Sequence, residues 1–279
     1  MSQPSLADIV SHIHSLPAMP AVALELLQTL SGGDPDVDAL ASRIARDQAI
    51  TARVLRVANS PFYGLQMRVG SIHDAIVVLG FSAVRSLVLT SAVVTTLPAG
   101  KCAGFSADRF WRHVLGTAVA AQALARPLRR KPESLFIAGL LHDIGRLVML
   151  SANPEGFARV IQIATERDCH LVDVETEIFG CDHTAVGAAI AQHWNFPADI
   201  VEALAFHHNP AQTAPGSLAA IIHYADGIAK ALDLEGAENT QMARLQPAAI
   251  DALGLDWQTL TAVLAETHGR FEAHLPLLG

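Results

Sequence analysis

The chain has 279 residues, a net charge of −8, a pI near 5.9 and 51% hydrophobic residues. That apolar content fills a sizeable core in one large domain or two smaller ones, and the acidic balance excludes a general nucleic-acid binder or a protein drawn to anionic lipid, since both need a positive field. Cys102, Cys169 and Cys181 are widely spaced and form no C-x-x-C pair, which excludes a disulfide framework and a cysteine-based zinc site and fits a reducing cytoplasm.

The N-terminus "MSQPSLADIV" lacks the basic region and apolar run of a secretory signal. The longest strongly apolar uncharged run, residues 86–100, falls short of the ~20 residues that span a bilayer, so the expectation is a soluble cytoplasmic protein. Apolar residues recur at i, i+3 and i+4 with no strand-like alternation, which predicts an all-α protein. Helices are expected over 20–31, with Pro20 suited to a first turn, 36–46, 48–58, 71–80 and 82–97. The Gly- and Pro-bearing "LPAGKCAGFSAD" then marks a joint between an N-terminal helical bundle (1–100) and a second helical unit (101–235). Within the second unit helices are expected over 107–126, 133–149, 154–168, 183–194, 197–208 and 216–233. The basic "RPLRRK" at 126–131 reads as cations at a helix C-terminus. A loose stretch at 233–251 leads to a C-terminal helical tail (236–279) with a helix over 256–273.

Several of these apolar helices carry polar residues that burial penalises: His113, His142-Asp143 in "GLLHDIGRLVML", His183, His207-His208 and Asp226. An ionised carboxylate buried without a partner is costly, so something must oppose Asp143. Each group lies on a different predicted helix, so convergence would build a metal centre in a bundle core, with imidazoles and carboxylates suited to iron, manganese or zinc. Bland readings stand beside this one. Asp143 could pair with Arg146 at i+3, Asp226 with Lys230 at i+4, and His207-His208 could close a helix end. His170, His193, His223, His268 and His274 read as hydrogen-bonded core residues without a functional role.

In this second unit the order His113, His142-Asp143, Asp226 resembles the H…HD…D pattern of the HD superfamily of metal-dependent phosphohydrolases. The additional His183 and His207-His208 resemble the extended pattern of HD-GYP phosphodiesterases. In the N-terminal unit "LPAMPAVALELL", "RDQAITARVLRVANSPFYG" and "SIHDAIVVLGFSAVRSLVL" are similar to the opening of an HDOD domain, an HD-related output domain of bacterial signalling proteins. The resemblance covers residues ~15–232. It implies that His113, His142, Asp143 and Asp226 hold one metal, and that Asp143 bridges to a second held by His183, His207 and His208. One or two divalent ions are implied, iron or manganese ahead of zinc or magnesium.

Three departures from the HD-GYP pattern weigh against nucleotide hydrolysis. Arg146 replaces a lysine, "NPAQTAPGSL" replaces the Gly-Tyr-Pro loop, and Arg109 stands four residues before His113 where some relatives carry an acid. The leading expectation is therefore a non-catalytic signalling module that binds partner proteins and retains its metal site. The alternative is an active metal-dependent phosphohydrolase or cyclic-nucleotide phosphodiesterase in which Arg146 contacts phosphate. A third reading places a helix or a cyclic dinucleotide on the N-terminal bundle, at Phe62-Tyr63-Gly64 with Arg53, Arg56 and Arg68, against ordinary packing of an aromatic turn. No nucleic-acid or membrane partner is expected.

Overall fold

The computed structural model describes residues 9, 11–13, 17–28, 36–60, 67–97, 100–236 and 241–278; the Phe62-Tyr63-Gly64 surface lies outside them. Among the described residues the regular elements are all helical, with no strand, so the fold is all-α.

The N-terminal part is built from α1 (Ala21–Gln28), α2 (Val37–Ile44), α3 (Gln48–Ala58), α4 (Ile72–Leu79) and α5 (Phe81–Thr96). Asp36, Asp47 and Ser71 open α2, α3 and α4 by accepting a backbone N–H three residues on, which satisfies one of the orphan donors of each first turn. After α3, the Asn59 side chain exchanges two hydrogen bonds with the Val69 backbone at 2.9 and 2.8 Å, tying the end of α3 to the approach to α4. Helix α5 packs on α1, α3 and α4 on one side and on the second unit on the other. This explains why it buries small polar residues as well as apolar ones: Thr90 returns its hydroxyl to the Ser86 carbonyl at 2.9 Å.

The second part runs α6 (Ala107–Leu124), α7 (Pro132–Leu141), α8 (Ile144–Ala152), α9 (Pro154–Arg167), α10 (Leu171–Phe179), α11 (His183–His193), α12 (Ala198–Phe206) and α13 (Leu218–Ala231). Helix α6 lies against α7 and α13, while α11 packs on both α8 and α12. Then come α14 (Pro247–Asp251), α15 (Trp257–His274) and a 3-10 turn, Leu275–Leu277. Helix α15 lies on α6, and the final turn reaches back to α3, so the tail touches both halves. Among the described residues the larger of two buried clusters accordingly runs from Ile9 to Leu277, and a smaller one lies between α6, α7, α13 and α15.

The single helix expected over 133–149 is two helices, broken at His142-Asp143, with Asp143 at φ −99°, ψ 8°. Helix α10 was not expected at all. The stretch 132–152 has the length and apolar composition of a membrane span, but 83% of its most apolar window is buried inside the fold. Among the presumed core histidines, His223 and His274 are buried and hydrogen-bonded, whereas His193 and His268 are exposed, because each falls on the outer face of its amphipathic helix. All three cysteines are free thiols.

Candidate metal centre

Adjacent residues on a helix point about 100° apart, so two neighbours cannot both face one point from within a helix. The break between α7 and α8 removes that restriction for His142 and Asp143. The same device recurs at the end of α12, where His207 and His208 follow the last helical residue. His183 is the first residue of α11, held there by the Asp182 cap on Thr184 and Ala185. His113 and Asp226 come from the interiors of α6 and α13, helices that pack side by side. Gly145 sets the approach of α8 to α11: a Cβ there would lie 2.0 Å from the His183 carbonyl oxygen.

All seven sequence-predicted ligand residues converge. Asp143, His183, His207 and His208 form one group and His113, His142 and Asp226 another, and within each group one ligand atom per residue lies within 4.8 Å of the others. Asp143 faces both. Its Oδ1 lies 3.1 Å from His183 Nε2 and 3.6 Å from His207 Nε2; its Oδ2 lies 3.5 Å from both His113 Nε2 and His142 Nε2. His113 Nε2 is also 3.2 Å from Asp226 Oδ1. The far nitrogens are tied down: His142 Nδ1 bonds the Gly139 carbonyl at 2.7 Å, His207 Nδ1 the Leu204 carbonyl at 3.0 Å, and His183 Nδ1 the Glu175 carboxylate at 2.5 Å. Such contacts fix the ring orientation and leave Nε2 aimed at the centre.

The electrostatics suit a cation. Burial drives His142 down to about 3 despite the nearby Asp143, and lowers His207 and His208, so these rings are neutral, as ligands must be. His183 differs: burial opposes its charge, but Glu175 and Asp143 outweigh that and raise it to about 9. Burial also opposes the charge on Asp143 and Asp226, yet Arg146 and Lys230 respectively lead the groups that hold them well below the usual carboxylate range. Asp143 Oδ1 and Asp226 Oδ1 are buried and accept no aligned hydrogen bond. Two buried carboxylate oxygens faced only by convergent imidazole nitrogens fit a bound metal ion.

The bland alternatives coexist with this arrangement. Arg146 Nη1 donates to Asp143 Oδ2 at 2.5 Å and its Nε lies 3.6 Å from Glu175 Oε1; Lys230 Nζ donates to Asp226 Oδ2 at 2.8 Å. Arg146 therefore sits on the shared carboxylate. Arg109 is exposed at the start of α6.

Two features escape a reading of the sequence. Glu175, fully buried on α10, accepts both the ring and the backbone N–H of His183, the latter at 2.8 Å. Its only sequence signal is an acid within the apolar periodicity of "LVDVETEIF". The second is a strap, residues 241–246, across the mouth of the centre. Arg244 makes two hydrogen bonds to Asp173 at 2.9 and 2.7 Å, and the Gln246 backbone N–H donates to His223 Nε2 at 2.9 Å. The Gln246 side chain bonds Asn209 and the Ala211 N–H, and Leu245 fills the notch over Gly227, where a Cβ would lie 2.6 Å from it. Beneath the strap His208, Asp226, Lys230 and Arg244 line a cavity of about 320 Å³.

Comparison with known proteins places these features in a family. Residues 16–210 match the HDOD domain. Among solved structures, a candidate phosphohydrolase from Shewanella amazonensis SB2B is 30% identical with a TM-score of 0.77, covering 98% of both chains. An HDOD domain protein of unknown function from Geobacter sulfurreducens is 25% identical with a TM-score of 0.79, covering 96% of both. A candidate signal transduction protein from Marinobacter aquaeolei VT8 is 25% identical with a TM-score of 0.79, covering all of this chain and 62% of that one. The chain spans 39% and 16% of the lengths of the two curated relatives it matches. With most of its length matched and its helices arranged as in these structures, the chain belongs to the HDOD domain family.

Proposed function

We propose that this chain is a regulatory module of bacterial signal transduction that acts on partner proteins and retains a metal centre without turning over phosphoesters. The observation that carries this reading is the state of the two cations nearest the centre. Arg146 and Lys230 would be the groups to receive a phosphate, and both are committed to the ligand carboxylates Asp143 and Asp226. His113, His142, Asp143, His183, His207, His208 and Asp226 are the proposed ligands. A bound divalent ion would neutralise Asp143 and tie together the elements that supply its ligands. In a protein that binds partners, such a cross-link stabilises one arrangement of the bundle.

The second reading, an active metal-dependent phosphohydrolase, draws on the complete ligand set and on the end-to-end similarity to the Shewanella protein. It requires Arg146 to leave Asp143 and meet the substrate. Metal analysis of protein purified without added metal, followed by hydrolysis assays on cyclic dinucleotides and nucleotides after manganese or iron loading, separates the two. The regulatory reading expects bound metal and no turnover above background. Turnover that disappears in Asp143→Ala would overturn it.

A further inference from the structure

The two halves of the centre differ in which carboxylate oxygens are already engaged. On one side stand His183, His207 and His208, with His208 Nε2 3.2 Å and His207 Nε2 3.3 Å from His183 Nε2, together with Asp143 Oδ1, which accepts no aligned hydrogen bond. That side offers four ligand atoms from the protein for one ion. On the other side Asp143 Oδ2 is bound by the Arg146 guanidinium, and Asp226 has one oxygen held by Lys230. What remains there is His113, His142 and Asp226 Oδ1.

Charge points the same way. Asp143, Asp226, Glu175 and Glu235 bring four negative charges to the cluster; Glu235 lies 4.0 Å from His113 Nδ1, and all four carboxylates act on Arg146. Arg146 and Lys230 return two positive charges, and imidazoles that serve as ligands add none. One divalent ion cancels the remainder. A second would leave two uncompensated positive charges among ligand side chains that are nearly all buried, where unpaired charge is penalised.

We infer that the centre takes a single divalent ion, in the His183–His207–His208–Asp143 half, and that Arg146 replaces a second ion as a resident cation on the shared carboxylate. This rests on the metal-centre reading above and assigns Arg146 a part in setting metal stoichiometry.

The test is Mn2+ bound per chain, measured by elemental analysis after gel filtration and by the electron-spin signal of the bound ion, in the 279-residue wild type and in Arg146→Met, His208→Ala and His142→Ala. Expected are one ion in the wild type, with the hyperfine-resolved signal of an isolated Mn2+, and two in Arg146→Met. His208→Ala should lower affinity at least tenfold, while His142→Ala keeps its ion. Two ions in the wild type, an unchanged count in a folded Arg146→Met, or loss of the ion in His142→Ala with retention in His208→Ala would each overturn the inference. If Arg146→Met does not fold, the wild-type count and the two histidine variants decide. Absence of Mn2+, iron and zinc from every protein would instead remove the metal reading itself.

Discussion

A carboxylate that receives both the ring and the backbone N–H of His183 fixes that imidazole's tautomer and aim. Removing the charge on such an outer partner typically costs ~10–100-fold in metal affinity. Glu175→Gln is expected to weaken Mn2+ binding by that order and also to lower the unfolding midpoint of the metal-free protein, because the buried charge on His183 loses its main partner, as isothermal titration and thermal denaturation would show. His183 also predicts a proton linkage. Its folded value of about 9 lies above the ~6.5 of an unfolded chain, so in the metal-free protein its contribution to stability is complete below that lower value and is lost as pH rises through about 9. A metal on Nε2 must displace this proton, so affinity should rise with pH up to about 9. Titration in buffers of differing ionisation enthalpy should detect the release, and pH-independent affinity between 7 and 9 would contradict it. At this scale His113 and Asp226 were legible because polar groups stand out in "RFWRHVLGTAV" and "AAIIHYADGIAKAL". Glu175 was not, since an acid on a short helix with exposed acids on either side looks like a solvated face until tertiary packing buries it.

Between elements, the break at His142-Asp143 lets two adjacent side chains share a target, yet no glycine or proline breaker marks it at that point in the sequence. The 3.6-residue apolar period continues straight through "GLLHDIGRLVML", so local pattern predicts one helix and packing against α11 imposes two. Gly145 is the residue that permits this packing. Gly145→Ala is expected to push α8 from α11, costing about 1–3 kcal/mol of stability in denaturant unfolding and abolishing metal uptake. The strap was equally hidden, because residues 241–246 have no periodicity and are held by side-chain and backbone hydrogen bonds to distant positions. A neutral hydrogen bond contributes about 1 kcal/mol net, so losing the Gln246 side-chain pair should raise strap opening by about thirtyfold. Removal of bound metal by a chelator should accelerate accordingly in Gln246→Ala, and an unchanged rate would show that the ion leaves by another route.

For the molecule as a whole, α15 and its terminal turn join the second unit to the first. Phe271 is 1% exposed beneath the Arg112 guanidinium, whose carbon lies 5.3 Å from the ring centre. Phe271→Ala is expected to cost ~3–5 kcal/mol. Because the cluster that holds Phe271 runs through both units, the loss should shift a single unfolding transition seen alike by far-ultraviolet circular dichroism and tryptophan fluorescence, not release the tail alone. The all-α architecture was legible from composition and periodicity. The continuity of the core was not, because the apolar faces of α5 and α15 carry no mark of which neighbour they cover. The order of the elements along the chain also gives the centre a history. Asp226 is the last proposed ligand to be synthesised and Gln246 follows it by a further stretch of chain, so at roughly 5–20 residues per second a ribosome delivers the complete ligand set on the order of seconds before its cover. A cation present during translation can therefore meet the imidazoles before residues 241–246 are in place, so loading during synthesis is expected to outpace loading of the folded chain.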